Sequence, residues 1–269
     1  MNQQVDIIIP LYNRPDLIEP CIGRMASTTD VPYRITLIDD ASPDPQVNKV
    51  MLKFAAKANL MHNRQNLGFG QTVNKAIRST TSPYVCILNQ DTEPLPGWLD
   101  VLFEDIEKNR DHGVVAPLLL FHSNSKSGPG GLVQHAGMYF DINKQPRHRY
   151  IGWPADNARV QEYRDDLQIV SGACMILRRS VWTMLGGFAP EYKRGTFEDT
   201  ELCLKIKAFH NVYGPPQLKV CYNPNAILYH HVGASATTVP NGFPIAMNFN
   251  LFQSRLGLAA EYDEWLVAS

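Results

Sequence analysis

Two short groups of carboxylate and amide side chains directly follow apolar stretches in the first third of the chain. They are Asp39-Asp40 and Asn89-Gln90-Asp91. A single carboxylate beside short oxygen-bearing side chains suits Mg²⁺ or Mn²⁺, which prefer oxygen ligands and leave coordination positions for phosphate oxygens. An acidic residue at the end of a strand can also accept hydrogen bonds from a ribose or a base. Both groups are equally typical of turns, so a purely structural role stays open for each.

Carboxylates are concentrated again in the segment Glu198-Asp199-Thr200-Glu201. Acidic residues at the start of a helix interact favourably with the helix dipole, which accounts for many such clusters without any catalytic role. A carboxylate within hydrogen-bond reach of a hydroxyl can also act as a general base. The residues alone leave both interpretations open.

Two adjacent histidines, His230 and His231, follow the apolar stretch at 226–229. Neighbouring side chains on a strand point to opposite faces, so we expect at most one of the two to bind a metal. A lone histidine is more often a hydrogen-bonded structural residue than a ligand.

A glycine-rich segment at 68–73 resembles the start of a dinucleotide-binding fingerprint. It lacks the third glycine, and it follows the third predicted strand rather than the first. No acidic residue stands at the usual spacing after it. A dehydrogenase is therefore weakly supported.

The elements that must position these groups alternate between strand and helix patterns through the first half of the chain. This alternation predicts an α/β fold with a mostly parallel sheet flanked by helices. In such sheets ligands bind beyond the carboxyl ends of the strands, here at 10–13, 39–40, 63–70 and 89–91. The predicted strands are 5–9, 34–38, 60–62, 84–88 and one that begins at 114, and the predicted helices are 15–25, 47–58, 71–78 and 98–108.

The alternation ends at a loop rich in serine and glycine, residues 123–131. Beyond it, 134–141 and 172–177 have strand patterns, whereas 198–207 and 244–266 have helical ones. The second half is therefore predicted to be mixed rather than regularly alternating.

Composition restricts the classes of function. A chain of 269 residues, 44% of them hydrophobic, can bury the core of one large α/β domain or two small ones. Its net charge of −1 argues against binding nucleic acid mainly through phosphate contacts. The five cysteines are scattered and include no C-x-x-C pair, which favours buried thiols in a reducing compartment. We see no signal peptide or transmembrane stretch in the sequence and expect a cytoplasmic protein.

The order of the motifs resembles the family 2 inverting glycosyltransferases, particularly their rhamnosyltransferase-like branch. The resemblance covers roughly residues 4–257. The motifs that carry it are V-D-I-I-I-P-L-Y-N at 5–13, Asp39-Asp40, N-L-G-F-G at 66–70 with Asn74, L-N-Q-D-T at 88–92, P-G-W-L at 96–99, S-G-A-C at 171–174, G-G-F at 186–188, E-D-T-E-L-C at 198–203, and His230 with Gly233 and Ser235.

The resemblance implies a GT-A fold in one domain spanning residues 1–269. Residues 1–120 would bind a nucleotide sugar, and 121–269, which include a C-terminal helical tail, would bind the acceptor and supply the catalytic groups. It also implies inverting transfer from a UDP-, dTDP- or GDP-linked sugar to a hydroxyl of a glycan or another acceptor, assisted by Mn²⁺ or Mg²⁺.

The resemblance further implies roles for individual residues, position by position. Asp91 would bind the metal together with His230, and Asn89 stands where the family often has a first aspartate. Asp199 would be the general base, with Glu198 as a supporting contact. The donor site would comprise Pro10, Tyr12, Asn13, Asp39, Asp40, Asn66, Gly68, Asn89, Gln90 and Asp91, and the acceptor would approach Gly172 and Ala173.

Other functions fit parts of the sequence. A nucleotidyltransferase can share this architecture, but it would need a glycine-rich basic loop after the first strand, and residues 10–15 contain no glycine. A catalytically degenerate module that binds nucleotide sugars or carbohydrates is favoured by Asn89 and opposed by Asp91, Asp199 and His230. Apolar residues of the tail leave open a peripheral attachment to the inner face of a membrane, and a homodimer is also possible.

Overall fold

The apolar runs of the sequence form strands, and the periodic segments between them form helices packed against those strands. The structure, a computed structural model, describes residues 4–233 and 242–256. The strands are β1 (Val5–Leu11), β2 (Tyr33–Asp39), β3 (Ala58–His62), β4 (Tyr84–Leu88), β5 (Thr92–Pro94), β6 (His112–Phe121), β7 (Val133–His135), β8 (Met138–Phe140), β9 (Pro146–His148), β10 (Arg164–Leu167), β11 (Cys174–Arg178) and β12 (Lys219–His230). The helices are α1 (Pro15–Ser27), α2 (Gln46–Leu52), α3 (Phe69–Arg78), α4 (Trp98–Lys108), α5 (Arg179–Leu185), α6 (Glu198–Lys207), α7 (Phe209–Tyr213) and α8 (Ile245–Leu256).

The main sheet has the strand order β10-β12-β6-β11-β4-β1-β2-β3, with β5 paired to β12 and β7 paired to β6. The strands β4, β1, β2 and β3 are parallel. By contrast, β11 is antiparallel to both β4 and β6. The second half of the chain therefore joins the same sheet but makes it mixed, as the fading alternation in the sequence predicts.

The parallel strands end level with one another, which gathers the polar segments that follow them. Leu11 pairs with Asp39, and Asp39 pairs with His62. Asp40 N–H donates to Leu11 O at 2.9 Å, and Asn63 N–H donates to Asp39 O at 2.8 Å. Ligand-binding groups are expected along this edge of the sheet.

The central strands are buried along their whole length because helices and loops cover the sheet. Every residue of β1 and of β6 is buried, which explains why both strands are mainly apolar and do not alternate with exposed polar residues. Trp98, at the start of α4, is fully buried and donates its indole N–H to Thr29 Oγ1 at 2.9 Å. The five cysteines are buried free thiols, as their apolar neighbours predict.

The elements differ from the predicted ones in a few places. Helix α2 ends at Leu52 rather than at residue 58, because the chain must begin β3 at Ala58 to pair with Ile35. The predicted strand at 134–141 is divided into β7 and β8 by Gly137, whose φ of 85° is left-handed. The short elements β5, β9, β10, α5 and α7 were missed, because three to seven residues carry little readable period. The predicted helix at 244–266 is observed as α8, and its remainder lies outside the described residues.

None of the helices in the part of the chain that the structure describes is long and apolar enough to cross a membrane.

Candidate active site

The ends of β1, β4 and β12 border a cleft of about 930 Å³. Parallel strands converge here, so the cleft lies where ligands bind in α/β sheets. The predicted site residues that line it are Pro10, Tyr12, Asp40, Asn66, Asn89, Gln90, Asp91 and His230.

The other predicted residues do not line the cleft, although several are hydrogen-bonded to residues that do. Asn13 O accepts from Gln90 at 3.0 Å, and Ala173 O accepts from Asn89 N–H at 2.8 Å. The residues outside the lining are Asn13, Asp39, Gly68, Gly172, Ala173, Glu198 and Asp199.

Asp40 shapes the wall of the cleft through contacts with the loop that follows β3. Its carboxylate accepts from Leu67 N–H at 2.8 Å, Gly68 N–H at 2.9 Å and Asn63 Nδ2 at 2.7 Å. Burial raises the pKa of Asp40, and these hydrogen bonds oppose the rise. Gly68 has φ 84°, and a Cβ there would stand 2.8 Å from Arg194 N, so this position requires glycine.

The side-chain amide of Gln90 is hydrogen-bonded to the loop after β1. Its Oε1 accepts from Tyr12 N–H at 2.9 Å, and its Nε2 donates to Asn13 O at 3.0 Å. Asn13 N–H also donates to Ser42 Oγ at 2.8 Å, and Asp39 Oδ1 accepts from Ser42 N–H at 3.1 Å. Gln90 and Asp39 therefore hold the backbone that positions Tyr12.

Asp91 and His230 face each other inside the cleft, with His230 Nε2 3.3 Å from Asp91 Oδ1. The other ring nitrogen of His230, Nδ1, lies 3.2 Å from Gln134 Oε1, so Gln134 orients the imidazole toward Asp91. Burial raises the pKa of Asp91, but the neighbouring His230 outweighs it and the pKa lies below the ordinary value. Both atoms of the pair are thus suited to bind a cation.

Asn89 completes this group of oxygen and nitrogen ligands. Its Oδ1 is buried and has no hydrogen-bond partner among the described residues. A buried acceptor without a partner is costly unless something binds it. Asn89, Asp91 and His230 therefore fit a divalent metal with mainly oxygen ligands.

The second histidine is held apart from the cleft. His231 N–H donates to Asp91 O at 2.9 Å, while its imidazole Nε2 lies 3.3 Å from Glu93 Oε1. Of the two adjacent histidines, only His230 lines the cleft.

The second pair of candidate carboxylates opens helix α6. Asp199 Oδ2 accepts from Gly172 N–H at 2.8 Å, and its Oδ1 accepts from Thr200 N–H at 2.7 Å. Burial raises the pKa of Asp199 against the effect of these hydrogen bonds. Burial also raises the pKa of Glu198, and the charge of Asp199 adds to that rise. Glu198 Oε2 is buried without a partner among the described residues.

The loop before α6 brings in residues that the sequence reasoning missed. Lys193 and Arg194 line the cleft, where they place positive charge opposite the polar strand ends. Arg194, Gly195, Thr196 and Phe197 all have positive φ values, of 62°, 132°, 84° and 69°. Two basic residues so close to Glu198-Asp199 in the sequence were the signal that could have identified them.

Asn248 of α8, also missed, is fully buried against this loop. Its Nδ2 donates to Gly195 O at 2.8 Å and Lys193 O at 3.1 Å, and its Oδ1 accepts from Lys193 N–H at 3.3 Å. No local sequence pattern indicates such a contact, because more than fifty residues separate the partners.

Known proteins are similar to this chain in sequence and in fold. The family model "Glycosyl transferase family 2" matches residues 6–183. An O-antigen biosynthesis protein, RfbC of Myxococcus xanthus, is 27% identical over 242 residues, which are 86% of this chain and 18% of that protein. The N-acetylglucosaminyl-diphospho-decaprenol L-rhamnosyltransferase of Mycobacterium tuberculosis (strain ATCC 25618 / H37Rv) is 21% identical over 260 residues, 89% of this chain and 80% of that protein.

Among solved structures, GalNAc-T7 with UDP, GalNAc and Mn²⁺ superposes with a TM-score of 0.68 at 15% identity. The match covers 85% of this chain and 44% of that one. The chain spans a quarter or less of the length of two curated relatives that it matches. Because the family model matches most of its length, and its sheet and helices match those of GT-A enzymes, the chain belongs to glycosyl transferase family 2 and has the GT-A fold.

Proposed function

We propose that this protein transfers a sugar from a nucleoside-diphosphate donor to an acceptor hydroxyl, with inversion at the anomeric carbon. The observation that carries the proposal is a pair of hydrogen bonds joining the two candidate carboxylate sites. Asn89 N–H donates to Ala173 O at 2.8 Å, and Gly172 N–H donates to Asp199 at 2.8 Å. These bonds support a candidate metal-binding group after β4 and a candidate base on α6 at adjoining positions.

The donor would lie in the cleft at the ends of β1 and β4. Pro10, Tyr12 and Asn66 line the part that would receive the base and ribose. Lys193 and Arg194 line the same cleft, and cationic side chains suit a diphosphate. The volume of the cleft, about 930 Å³, falls within the range of small-molecule and cofactor sites.

Asn89, Asp91 and His230 would hold the divalent metal, with Gln134 fixing the orientation of the imidazole. When bound, Mn²⁺ or Mg²⁺ would neutralise negative charge on the leaving nucleoside diphosphate. The structural relative GalNAc-T7, crystallised with UDP and Mn²⁺, supports testing Mn²⁺ first.

Asp199 would act as general base on the acceptor hydroxyl. Its two oxygens are held by Gly172 and Thr200, so the carboxylate is preorganised. Gly172 keeps the approach open, because a Cβ there would lie 3.2 Å from Asp199 Cβ. Burial would raise the pKa of Asp199, and burial together with the charge of Asp199 would keep the neighbouring Glu198 protonated more readily than an ordinary glutamate.

The acceptor would be a glycan or a lipid-linked saccharide, since the relatives are named for O-antigen biosynthesis and for a decaprenol-linked rhamnosyl transfer. The donor sugar is left to experiment, and an L-rhamnosyl donor belongs in the panel because of the second relative.

The test is release of free nucleoside diphosphate from a panel of UDP-, GDP- and dTDP-linked sugars without acceptor. Each donor is incubated with Mn²⁺, Mg²⁺ or EDTA. We expect slow hydrolysis of one donor that EDTA abolishes and that Asp91→Asn reduces strongly. Asp156→Asn, which changes an exposed carboxylate outside the cleft, serves as the control.

If no donor is hydrolysed but one raises the melting temperature, the chain binds nucleotide sugars without turning them over. The absence of both hydrolysis and thermal stabilisation with every donor would contradict the proposal.

A further inference from the structure

A second cluster of metal-ligating side chains lies outside the cleft, formed by Glu93, His122 and His231. One ligand atom from each residue lies within 4.8 Å of the other two. None of the three lines the cleft. We infer that this cluster is a binding site for a zinc-class divalent cation, distinct from Asn89, Asp91 and His230. The inference does not depend on the proposed transfer activity.

The cluster follows from the register of three neighbouring strands. Phe121 and His230 are paired at the ends of β6 and β12, so the next residues, His122 and His231, also lie side by side. Their rings are stacked, with centroids 3.7 Å apart and planes inclined by 23°. Glu93 lies on β5, which pairs with β12 from the other side.

The spacing of the ligand atoms fits a tetrahedral ion. His231 Nε2 lies 3.3 Å and His122 Nε2 lies 3.4 Å from the same atom, Glu93 Oε1. Ligands bound about 2.1 Å from a tetrahedral zinc ion stand about 3.4 Å from one another. Two edges of the tetrahedron therefore already have the required length, and the third pair of ligand atoms lies within 4.8 Å.

The charges and exposure of the cluster are those of an accessible metal site. Glu93 contributes the negative charge, and Arg24 Nε lies 3.7 Å from its other oxygen, Oε2, which leaves Oε1 to the imidazoles. The side chains of His122, His231 and Glu93 are 17%, 12% and 18% exposed, so an ion can reach them. Two imidazoles and one carboxylate suit zinc and leave a fourth position for water.

Metal binding requires one local change at His122. Asn124 N–H donates to His122 Nδ1 at 3.1 Å, which places the ring proton on Nε2, the atom facing Glu93. When Nε2 binds the cation, this proton moves to Nδ1 and the Asn124 amide turns to solvent. Asn124 is exposed, so water can replace the lost partner.

The same cation would also restrain Asp91 and His230, the candidate ligands of the metal in the cleft, through backbone hydrogen bonds. His231 N–H donates to Asp91 O at 2.9 Å, and His122 N–H donates to His230 O at 3.1 Å. Fixing the two imidazoles therefore fixes the chain on both sides of the Asp91–His230 pair. Zinc is expected to raise the melting temperature as well as to bind.

The experiment uses the full chain, purified without a histidine tag, in an Asp91→Asn background that weakens the candidate donor-metal site. Zinc binding is measured by competition with a chromophoric chelator, and Co²⁺ replaces Zn²⁺ to report tetrahedral geometry by visible absorption. We expect one equivalent of zinc, which His122→Gln weakens by more than about a hundredfold, since even outer-shell losses cost about 10–100-fold. His210→Gln, an exposed histidine on α7, should bind like the background protein.

Glu93→Gln is the second test and keeps the result interpretable if His122→Gln folds poorly, which circular dichroism reports. Equal zinc affinity in the background, His122→Gln and Glu93→Gln proteins would overturn the inference, as would the absence of a tetrahedral Co²⁺ spectrum.

Discussion

At the scale of single residues, the two adjacent carboxylates of α6 have different surroundings. Asp199 is half-buried and has both oxygens hydrogen-bonded, whereas Glu198 is buried and its Oε2 has no partner among the described residues. Such a pair separates two tasks. Asp199 is held by hydrogen bonds in a fixed orientation, whereas burial and the charge of Asp199 raise the pKa of Glu198 and favour its neutral form.

Asp199→Asn is expected to lower transfer by about 10²–10⁴-fold, the range that general-base assistance contributes. Donor binding should stay close to that of the wild type, because Asp199 does not line the cleft. Burial raises the pKa of Asp199, and a protonated Asp199 cannot act as a base. As the pH is lowered, wild-type transfer should therefore be lost at a pH higher than the ordinary aspartate pKa of about 3.9. Single-turnover rates and nucleotide titration measure the two effects, and a fully active variant would contradict the assignment.

Glu198→Gln is expected to change stability with a defined pH dependence. The folded pKa of Glu198 is raised, so its stabilising contribution is present below the ordinary value of about 4.3 and is lost as the pH rises through the folded pKa. A neutral amide avoids that loss. The variant should therefore melt higher than wild type at neutral and alkaline pH, with the difference shrinking in acid. A lower melting temperature at alkaline pH would show that the glutamate is stabilised as an anion.

At the scale of elements, α8 holds the loop that precedes α6. Asn248 contacts Lys193, Gly195 and Thr196 through its amide. Arg255, two turns further along the same face of α8, binds Glu201 of α6 at 2.9 and 3.0 Å. The loop has a run of positive φ values, and such backbone persists only where neighbours restrain it. Helix α8 is therefore part of the site although only Met247 of its residues lines the cleft.

Asn248→Ala is expected to leave buried backbone groups of this loop without partners. Each such group costs about 1–3 kcal/mol, so the free energy of unfolding should fall by at least that amount. Transfer should fall as well, because Lys193 and Arg194 lose their fixed position at the cleft. Denaturant unfolding and donor hydrolysis measure both, with Asn250→Ala on the exposed face of α8 as the control. Unchanged activity with reduced stability would limit Asn248 to a structural role.

At the scale of the whole molecule, the two halves of the chain are joined by the sheet and by the ion pair between Asp6 and Arg179. Strand β11 from the second half lies between β4 and β6. Asp6 of β1 accepts from Arg179 Nη2 at 2.7 Å, and its side chain is 1% exposed. Arg179 also donates to Ser82 O and Ile77 O, at 2.6 and 2.9 Å.

Arg179→Ala is expected to lower the free energy of unfolding by about 3–5 kcal/mol, because it leaves Asp6 as an uncompensated buried charge. Adding Asp6→Asn should recover part of the loss by removing that charge. Arg110→Ala, at an exposed position, is the control. The measurement is denaturant unfolding at neutral pH. Additive effects of the two substitutions would show that the pair is not coupled.

The sequence by itself determined the fold and the order of the site segments. Apolar runs of five residues predicted β1, β2 and β4 close to their observed bounds, a further run predicted the start of β6, and a helical pattern predicted α4. The same patterns placed 89–91 and 39–40 at strand ends and the carboxylates 198–199 at the start of α6. Such features depend on local periodicity, which one sequence displays.

Only the tertiary structure decided how the polar side chains are used. Gln90 and Asp40 face the cleft, but their hydrogen bonds hold neighbouring loops. Contacts of Gln134 with His230 and of Asn248 with Gly195 join residues 96 and 53 positions apart. It also separated His230, in the cleft, from His231, which meets Glu93 and His122. These pairings follow from which strands and helices become neighbours in space, and local sequence patterns do not encode that.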